Sequence, residues 1–410
     1  MHVSELEKRY PGIPPQVLLK ADLVFTGLRV NEALVEAGAW CIPHFYKVEF
    51  GGERRTIPYF MHIPSGSGAE ELLVLVRPNP ASPYHMEADA SGAYRLFDGG
   101  RPVCEVRPHP KPGWYAWAQQ RGLRRAVAGM EQHGDMLVAN LAPACEYWTA
   151  PGEDANYRCL FCGYGAVSER SRCLGQERGA GVPAETVAEF KQALGPSRPE
   201  TRHLYLVGGS MRDRDAEGQR YLDLARSAVD AEPSYRGSIG CGSQALPRAW
   251  LERIRDAGAG YGCFNLEVWD PDLWRKVCPG KDRFIGRDRW LQDMVDAVGV
   301  FGRGGVLSAF VAGAELVPPL GMSTPDEAIE SNAAGTDWLL SRGITPIHSL
   351  LSPAITSEYG KAKPPDLDYF LRLNLATFGL RRKHKLPIDT RFVCGGCTYA
   401  QIECDLDRLA

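Results

Sequence analysis

The strongest constraint on the fold is an alternation of segment types that begins at residue 136. From there, short apolar runs alternate with longer amphipathic segments, as expected for a parallel sheet whose strands are joined by helices. The strand candidates are residues 136–141, 203–207, 238–241, 263–268, 306–312 and 345–350. The helix candidates between them are residues 184–194, 220–229, 247–257, 287–300 and 326–340. The sequence therefore predicts a protein of the α/β class.

Six β/α units are fewer than the eight of a complete TIM barrel, so we predict a partial (β/α)6 barrel of the TIM type over residues 131–355. In such barrels the loops that follow the strands lie on one face, and this face carries the active site. The residues expected on this face are Cys145, Gly208, Gly242, Asp270 and Glu315.

The segments on either side of the predicted barrel have different patterns. Residues 1–130 contain apolar runs separated by glycine and proline, which predicts a smaller β-rich N-terminal domain. Its strand candidates are residues 45–50, 57–63, 72–76 and 94–97, and a helix is expected at about residues 114–133. Residues 356–410 are predicted to form a helical C-terminal segment with a cysteine-rich tail and an auxiliary metal site.

Charge and composition narrow the classes of partner. The formal net charge is -3 and no long basic run occurs, so we expect no nucleic-acid and no membrane partner. The N-terminus lacks the order of a secretory signal, which predicts a cytoplasmic protein. Because the cytosol keeps thiols reduced, the twelve cysteines indicate metal or redox chemistry where they cluster. Six stand alone and are interpreted as structural: Cys41, Cys104, Cys173, Cys241, Cys263 and Cys278.

Three cysteines follow the first predicted barrel strand with the spacing Cys145-x13-Cys159-x2-Cys162. Iron–sulfur clusters are normally held by four thiolates, so three indicate a cluster with one iron open to another ligand. The alternative is a structural zinc site, which would need a fourth protein ligand close by. No such ligand occurs at short spacing, and we therefore favour the cluster.

A second cysteine group, Cys394-x2-Cys397-x6-Cys404, lies near the end of the sequence. Three more thiolates predict a second metal site, which we interpret as an auxiliary iron–sulfur cluster. Zinc is the alternative, because Cys-x2-Cys is common in zinc sites that have a fourth ligand.

The six β/α units, the three-cysteine loop, the Phe161-Cys162 pair and the turn Gly208-Gly209-Ser210 together resemble the radical S-adenosylmethionine (radical SAM) superfamily. The resemblance covers about residues 135–355. The thirteen-residue first gap departs from the usual Cys-x3-Cys-x2-Cys loop, and serine stands where the family's GGE segment has glutamate. The resemblance implies a [4Fe-4S] cluster and SAM as cofactors.

It also implies roles for individual residues. Phe161 would lie near the adenine, the Gly208-Gly209-Ser210 turn would receive the methionine ammonium through its carbonyls, and Gly313 would lie in the strand segment beside the adenine. Asn265 and Glu267 would contact the ribose or the polar tail of SAM, although Glu267 could instead form a salt bridge inside the barrel. Lys281 or Arg287 could pair with the methionine carboxylate, but both are interpreted as solvated surface charges.

The leading functional hypothesis is an enzyme that cleaves SAM reductively to a 5′-deoxyadenosyl radical, which takes hydrogen from a small biosynthetic substrate. A flavodoxin- or ferredoxin-type protein would supply the electron. Cobalamin-dependent methyl transfer is disfavoured, because no Asp-x-His-x-x-Gly segment occurs. The alternatives are a sulfur-inserting transferase that uses the C-terminal cluster, transfer of the aminocarboxypropyl group of SAM, and a non-catalytic iron–sulfur carrier or scaffold.

Overall fold

The structure is a computed structural model that describes residues 3–38, 47–66, 71–148, 156–164, 173–175, 181–354, 357–388 and 400–409. The chain divides into two compact units. Unit 1 comprises Met1–Pro112 and Val393–Ala410, and unit 2 comprises Gly113–Phe392. The division differs from the boundaries near residues 130 and 355 that the sequence suggested, because the C-terminal residues belong to unit 1. Among the described helices, none has the length and apolar character needed to cross a membrane.

Unit 1 is built around a five-stranded antiparallel sheet in the order β4-β3-β7-β6-β5, next to a two-stranded β1-β2 ribbon. The strands are β1 (Lys47–Phe50), β2 (Glu53–Thr56), β3 (Phe60–Pro64), β4 (Glu71–Leu75), β5 (Tyr84–Ala88), β6 (Tyr94–Asp98) and β7 (Arg101–Pro108). Its helices are α1 (Val3–Arg9), α2 (Pro15–Thr26), α3 (Glu32–Ala37) and, at the other end of the chain, α14 (Glu403–Leu409). The β-rich character predicted for the N-terminal region is thus confirmed.

The core of unit 1 contains a buried ion pair as well as apolar side chains. Helix α2 buries eight of its residues, among them Leu18 and Leu23, and one of the eight is Lys20. The Lys20 ammonium lies 2.6 Å from Oδ2 of Asp405 on α14, and neither side chain is exposed. The last described residues of the chain are therefore part of the core of unit 1.

Unit 2 contains a seven-stranded sheet in the order β14-β13-β12-β11-β10-β9-β8. Strands β9 to β14 are parallel and adjacent in chain order, whereas β8 is antiparallel to β9. The strands are β8 (Met130–His133), β9 (Met136–Ala142), β10 (His203–Gly208), β11 (Ile239–Gly242), β12 (Ala259–Cys263), β13 (Val306–Ala312) and β14 (Ile344–Leu350). Six parallel strands joined by helices confirm the predicted partial barrel.

Helices precede, connect and follow the parallel strands. They are α4 (Gly113–Gln120), α5 (Arg124–Gly129), α6 (Ala184–Ser197), α7 (Arg214–Ala231), α8 (Arg248–Asp256), α9 (Pro271–Val277), α10 (Pro279–Phe284), α11 (Arg287–Phe301), α12 (Pro325–Ser341) and α13 (Leu367–His384). Helix α12 begins with a capping box, in which Thr324 and Glu327 each satisfy a backbone N–H of the other. The run Thr324-Pro325-Asp326-Glu327 is a sequence pattern typical of such a helix start.

Two predicted elements of unit 2 are wrong in extent. The helix expected at residues 114–133 is divided, because Gly122 adopts φ +70° between α4 and α5, and the last four residues form β8. The strand expected at residues 263–268 lies four residues earlier. Its sequence, Ala-Gly-Tyr-Gly-Cys, reads as a turn, yet a Cβ on Gly260 would lie 2.0 Å from the carbonyl oxygen of Gly237. Close packing of neighbouring backbones therefore requires glycine in this strand.

Candidate active site

A cavity of about 300 Å³ lies at the carboxyl ends of the parallel strands. Strands β10, β11 and β12 contribute their last residues to its wall, and the loops after β9, β10, β11 and β12 and the helices α10 and α11 contribute the rest. Parallel strands bring their carboxyl ends to one edge, which is why loops far apart in sequence meet here. The cavity is lined by Cys145, Tyr147, Arg158, Cys159, Phe161, Cys162, Tyr164, Tyr205, Val207, Gly208, Gly209, Ser210, Gly242, Ser243, Cys263, Asn265, Glu267, Lys281 and Trp290.

The three cysteines predicted as iron ligands all line this cavity. Cys145 follows the end of β9 by three residues, and Cys159 and Cys162 lie on a tight turn in which the Cys162 N–H donates to the Cys159 carbonyl at 3.0 Å. The Tyr164 backbone N–H points at Cys162 Sγ from 3.3 Å. Backbone N–H groups aimed at sulfur stabilise a thiolate, so this turn suits a cysteine that binds a metal.

The thiols differ in their electrostatic surroundings. Burial raises the pKa of Cys145 to about 11 and also raises that of Cys162. The pKa of Cys159 is lowered, first by a hydrogen bond from Cys278 and then by the Lys281 ammonium. Deprotonating all three thiols in this enclosed cavity therefore requires a cation that compensates the negative charge.

The donor set of the cavity fits an iron–sulfur cluster, whose usual ligands are cysteine thiolates. Within the described residues, no group of three or more histidine, cysteine, aspartate or glutamate side chains could hold one metal ion. In a cubane cluster each cysteine binds a different iron, so the sulfur atoms share a cavity without converging on one point. Three thiols around one cavity fit that arrangement, whereas a zinc site would need them within reach of a single ion.

The glycine turn after β10 lies against the segment that carries Cys145. A Cβ on Gly209 would lie 2.2 Å from the carbonyl oxygen of Ala144, which is closer than any real contact. The Glu146 N–H also donates to the Ser210 carbonyl at 2.9 Å. Glycine is therefore required at position 209 by the close approach of two backbones, and the turn and the cysteine loop form one wall of the cavity.

Two charged side chains of α7 hold this turn from behind. Arg220 donates to the Gly209 carbonyl at 2.7 Å. Glu217, which is buried, accepts hydrogen bonds from the Met211 N–H at 2.6 Å and from the backbone and side-chain N–H groups of Gln244 at 2.9 and 2.8 Å. Burial raises the pKa of Glu217. The loops after β10 and β11 are thus joined through one carboxylate.

Asn265 and Glu267 line the cavity, but they are not on a regular strand. Glu267 has φ +73°, a left-handed conformation that costs a non-glycine residue free energy. Its Oε1 lies 2.7 Å from the Lys281 ammonium, which also donates to the Asn265 carbonyl at 2.5 Å. The interpretation of Lys281 as a solvated surface charge is therefore wrong. It is buried and forms the salt bridge that was the alternative prediction for Glu267.

Several other predicted residues lie away from the cavity. Arg287 donates to the Trp269 carbonyl at 2.7 Å and lies over the ring of that tryptophan. Gly313, with φ +102°, lines a different groove. Asp270 caps α9 through the Leu273 N–H, and Glu315 forms a buried network with Tyr369 and Asn332. Asp270 and Glu315 follow the carboxyl ends of β12 and β13, as expected, but the contacts named here are with other residues of the chain.

The C-terminal cysteine group is described only in part. Cys394 and Cys397 lie outside the described residues, and Cys404 is buried on α14. Of the cysteines interpreted as structural, Cys41 also lies outside the described residues. Cys263 lines the cavity, where its thiol donates to Asn265 Oδ1 at 3.2 Å. Its proximity to the cavity was not predicted.

Sequence reasoning missed other residues of this site as well. Tyr147, Tyr205 and Trp290 line the cavity without belonging to a motif. Ser243 could have been found, because Gly-Ser follows β11 just as Gly-Ser follows β10. Glu217 and Gln244 had no local signal, since their contact joins the helix after one strand to the loop after the next.

Comparison with known proteins was made for sequence and for structure. No protein-family model matches the sequence. The chain is 24% identical over 346 residues to bacteriochlorophyllide c C-7(1)-hydroxylase of Chlorobaculum limnaeum, covering 81% of this chain and 80% of that protein. Its fold is similar to that of a radical SAM methyltransferase from Sphaerobacter thermophilus (TM-score 0.43, 15% identity, 78% of this chain and 82% of that one). It is also similar to methylornithine synthase, PylB (TM-score 0.39, 14% identity, 66% and 70%).

The predicted resemblance to radical SAM enzymes is confirmed. The resemblance rests on the partial barrel and on the cavity lined by three cysteines. The prediction that the chain is an enzyme is confirmed with it.

Proposed function

We propose that this chain binds a [4Fe-4S] cluster through Cys145, Cys159 and Cys162 and binds SAM in the adjoining cavity. The observation that carries the proposal is that the three thiols and the Gly208-Gly209-Ser210 turn line the same cavity at the carboxyl ends of the parallel strands. When bound, the cluster and SAM together supply a 5′-deoxyadenosyl radical through one-electron cleavage of a sulfur–carbon bond. We infer that this radical removes hydrogen from carbon of a small substrate.

The residues of the chain bind and orient the cofactor in this proposal. Carbonyl groups of the Gly208–Ser210 turn accept hydrogen bonds from the methionine ammonium, and Arg220 and Glu217 keep the turn in place. The Lys281 ammonium attracts the methionine carboxylate, and its salt bridge with Glu267 holds it at the cavity wall. Phe161 and Asn265 offer an apolar surface and a polar group to the nucleoside.

The sequence relative supports a reaction at a carbon–hydrogen bond. Hydroxylation, the activity in that protein's name, replaces hydrogen on carbon by a hydroxyl group. Such a replacement begins with removal of hydrogen from carbon, and other radical reactions share this first step. We therefore propose carbon–hydrogen cleavage as the common step.

Reductive cleavage of SAM tests the proposal directly. The reconstituted protein should contain about four irons per cluster and should release 5′-deoxyadenosine when dithionite and SAM are added without oxygen. Serine at Cys145, Cys159 or Cys162 should lower the iron content by about four per chain and abolish the release. Cys173→Ser is the matched control, because Cys173 is exposed and does not line the cavity. No release by the iron-loaded protein would contradict the proposal.

The same assay separates the alternatives. Transfer of the aminocarboxypropyl group would yield 5′-methylthioadenosine in place of 5′-deoxyadenosine, and a carrier would yield neither. The auxiliary cluster has its own measurement. We propose that Cys394, Cys397 and Cys404 bind it, so Cys397→Ala should lower the iron content by about four per chain. An unchanged iron content would contradict the auxiliary cluster and the sulfur-inserting function.

A further inference from the structure

A second groove in unit 2, here named the Leu160 groove, adjoins the cysteine loop. Its volume is about 820 Å³. Leu160 lines this groove, whereas its neighbours Cys159, Phe161 and Cys162 line the cavity described above. The loop that carries two of the proposed iron ligands is therefore the wall between the cavity and the groove. The other groove residues come from two loops, Gly313–Leu320 and Glu358–Pro365.

The loop from Glu358 to Pro365 is attached to the cysteine loop through its backbone. The Tyr359 N–H donates to the Leu160 carbonyl at 2.8 Å, and the Ala354 N–H donates to the Phe161 carbonyl at 3.0 Å. The Leu160 N–H in turn donates to the Val277 carbonyl at 2.9 Å. These bonds fix the groove surface relative to Cys159 and Cys162, so a molecule bound in the groove lies one residue away from those ligands.

The charge of the groove is positive. Lys361 and Lys363 are exposed, and neither has a hydrogen bond or ion pair among the described residues. The acidic residue of the groove, Glu358, is neutralised by Arg158, whose guanidinium donates to both of its carboxylate oxygens at 2.7 to 2.9 Å. Two ammonium groups are therefore available to a partner of opposite charge.

The opposite wall of the groove is apolar. It is formed by Leu316, Val317, Pro318, Pro319 and Leu320. Two prolines and a backbone held by hydrogen bonds lose little conformational freedom when a partner binds. A rigid apolar patch beside unpaired lysines matches the general anatomy of a protein docking surface, in which apolar contact gives affinity and charge gives orientation.

We propose that the Leu160 groove is the docking surface for an acidic one-electron carrier protein of the flavodoxin or ferredoxin type. The inference rests on the proposed function, because it requires an electron acceptor at Cys159 and Cys162. The carrier is oxidised by one electron, and that electron reduces the iron–sulfur centre. No bond forms or breaks in this step, and the lysines attract the acidic surface of the carrier.

Charge reversal at the groove tests the docking surface. A parallel assay with dithionite tests the proposed chemistry separately, because dithionite replaces the carrier protein. The variant K361E/K363E should lose about tenfold or more of its rate of 5′-deoxyadenosine release when reduced flavodoxin or reduced ferredoxin supplies the electron at low salt. Its rate with dithionite should be unchanged, because a small reductant needs no docking surface. Higher salt should reduce the difference between the variant and the unaltered protein.

The matched control is K191E/R226E, which reverses two exposed charges on α6 and α7 that do not line the groove. This control should keep both rates. Equal loss of the carrier-driven rate in the two variants would overturn the groove as the docking surface, as would retention of that rate in K361E/K363E. Failure of both carriers to reduce a protein that dithionite activates would also overturn it.

A second readout does not depend on activity. Carbodiimide joins lysine ammonium groups to carboxylates that touch them, and the products are mapped by mass spectrometry. With flavodoxin or ferredoxin as the acidic protein, the cross-links should fall on Lys361 and Lys363 and should disappear at high salt. Cross-links that fall on Lys191 instead would overturn the proposal. If dithionite itself fails to drive cleavage, the proposed function is refuted, and the cross-links still report on the surface.

Discussion

The two units each contain a buried lysine paired with a carboxylate, and the two pairs differ in what surrounds them. In unit 1, Lys20 and Asp405 are 2.6 Å apart and both are fully buried. In unit 2, Lys281 and Glu267 are 2.7 Å apart, with 8% and 12% of their side chains exposed. Similar distances therefore occur in a closed core and at the wall of a cavity.

The neighbours of each pair indicate its role. Asp405 also accepts a hydrogen bond from Arg408 at 2.9 Å, so its charge is satisfied within α14 and α2. Lys281 lies 4.6 Å from the Trp290 ring centroid, and its partner Glu267 has a left-handed backbone. Backbone strain held at a cavity wall is typical of functional sites. We infer that the first pair stabilises unit 1 and the second positions a charge for a ligand.

Breaking the closed pair should have the largest effect on stability. Lys20→Ala leaves Asp405 buried without its main partner, which should cost about 3–5 kcal/mol of the free energy of unfolding. Urea denaturation of the variant and the unaltered protein measures the difference. The double variant K20M/D405L should recover most of the loss, since apolar residues of similar volume replace a buried ion pair at little cost. A loss under 1 kcal/mol in the single variant would contradict the closed-core interpretation.

The carboxylate behind the glycine turn should have the next largest effect. Glu217→Gln places an amide N–H₂ against backbone and side-chain donors of Met211 and Gln244, which should cost about 1–3 kcal/mol. The KM for SAM should rise by a larger factor than kcat falls, because the turn is displaced. Glu330→Gln, at an exposed position on α12, is the control and should change neither quantity. A change in urea midpoint without a change in KM would limit Glu217 to a structural role.

Unit 2 also buries a histidine, His348, that does not line the cavity. His348 has no exposed surface, contacts Thr336 Oγ1 through Nε2 at 3.1 Å and stacks on Phe310. Burial, followed by the charge of Arg381, lowers the pKa of His348 to about 3 from its ordinary value of 6.5.

The lowered pKa has a definite consequence for stability. The stabilising contribution of neutral His348 is present above pH 6.5 and is lost as the pH falls towards 3, because the unfolded chain then binds the proton more strongly. Between pH 7 and pH 5 the unaltered protein should lose about 2 kcal/mol more than His348→Asn, and SAM affinity at pH 7 should be equal. Urea midpoints at the two pH values provide the measurement, and parallel losses would refute the assignment.

Breaking the pair at the cavity should have the smallest effect on stability and a clear effect on binding. Lys281→Met leaves Glu267 able to contact water in the cavity, so the loss in free energy of unfolding should be about 1–2 kcal/mol. The dissociation constant for SAM should rise about tenfold, equivalent to about 1.4 kcal/mol. Lys276→Met, on the exposed side of α9, is the control. If Lys281→Met left the SAM affinity unchanged, the inference that the Lys281–Glu267 pair positions a charge for a ligand would be wrong.

Much of the barrel could be predicted because its signals are local. Apolar runs such as β13 and β14 are found within a residue of their predicted bounds, and the capping box of α12 follows from four consecutive residues. The predicted strand at residues 263–268 was displaced because Gly260 in β12 is required by the close approach of the Gly237 backbone, which the local pattern does not reveal. The split of the helix expected at residues 114–133 likewise depends on the pairing of β8 with β9.

The sequence by itself determined the class of fold, the three-cysteine loop and the glycine turn, since each depends on residues that lie close together in the chain. Only the tertiary structure decided that Lys281 is buried beside Glu267, that Glu217 holds two loops together, and that α14 completes the core of unit 1. These contacts join residues between six and 385 positions apart. Local periodicity cannot specify such partners, because burial and pairing at those positions depend on which surfaces meet after the chain has folded.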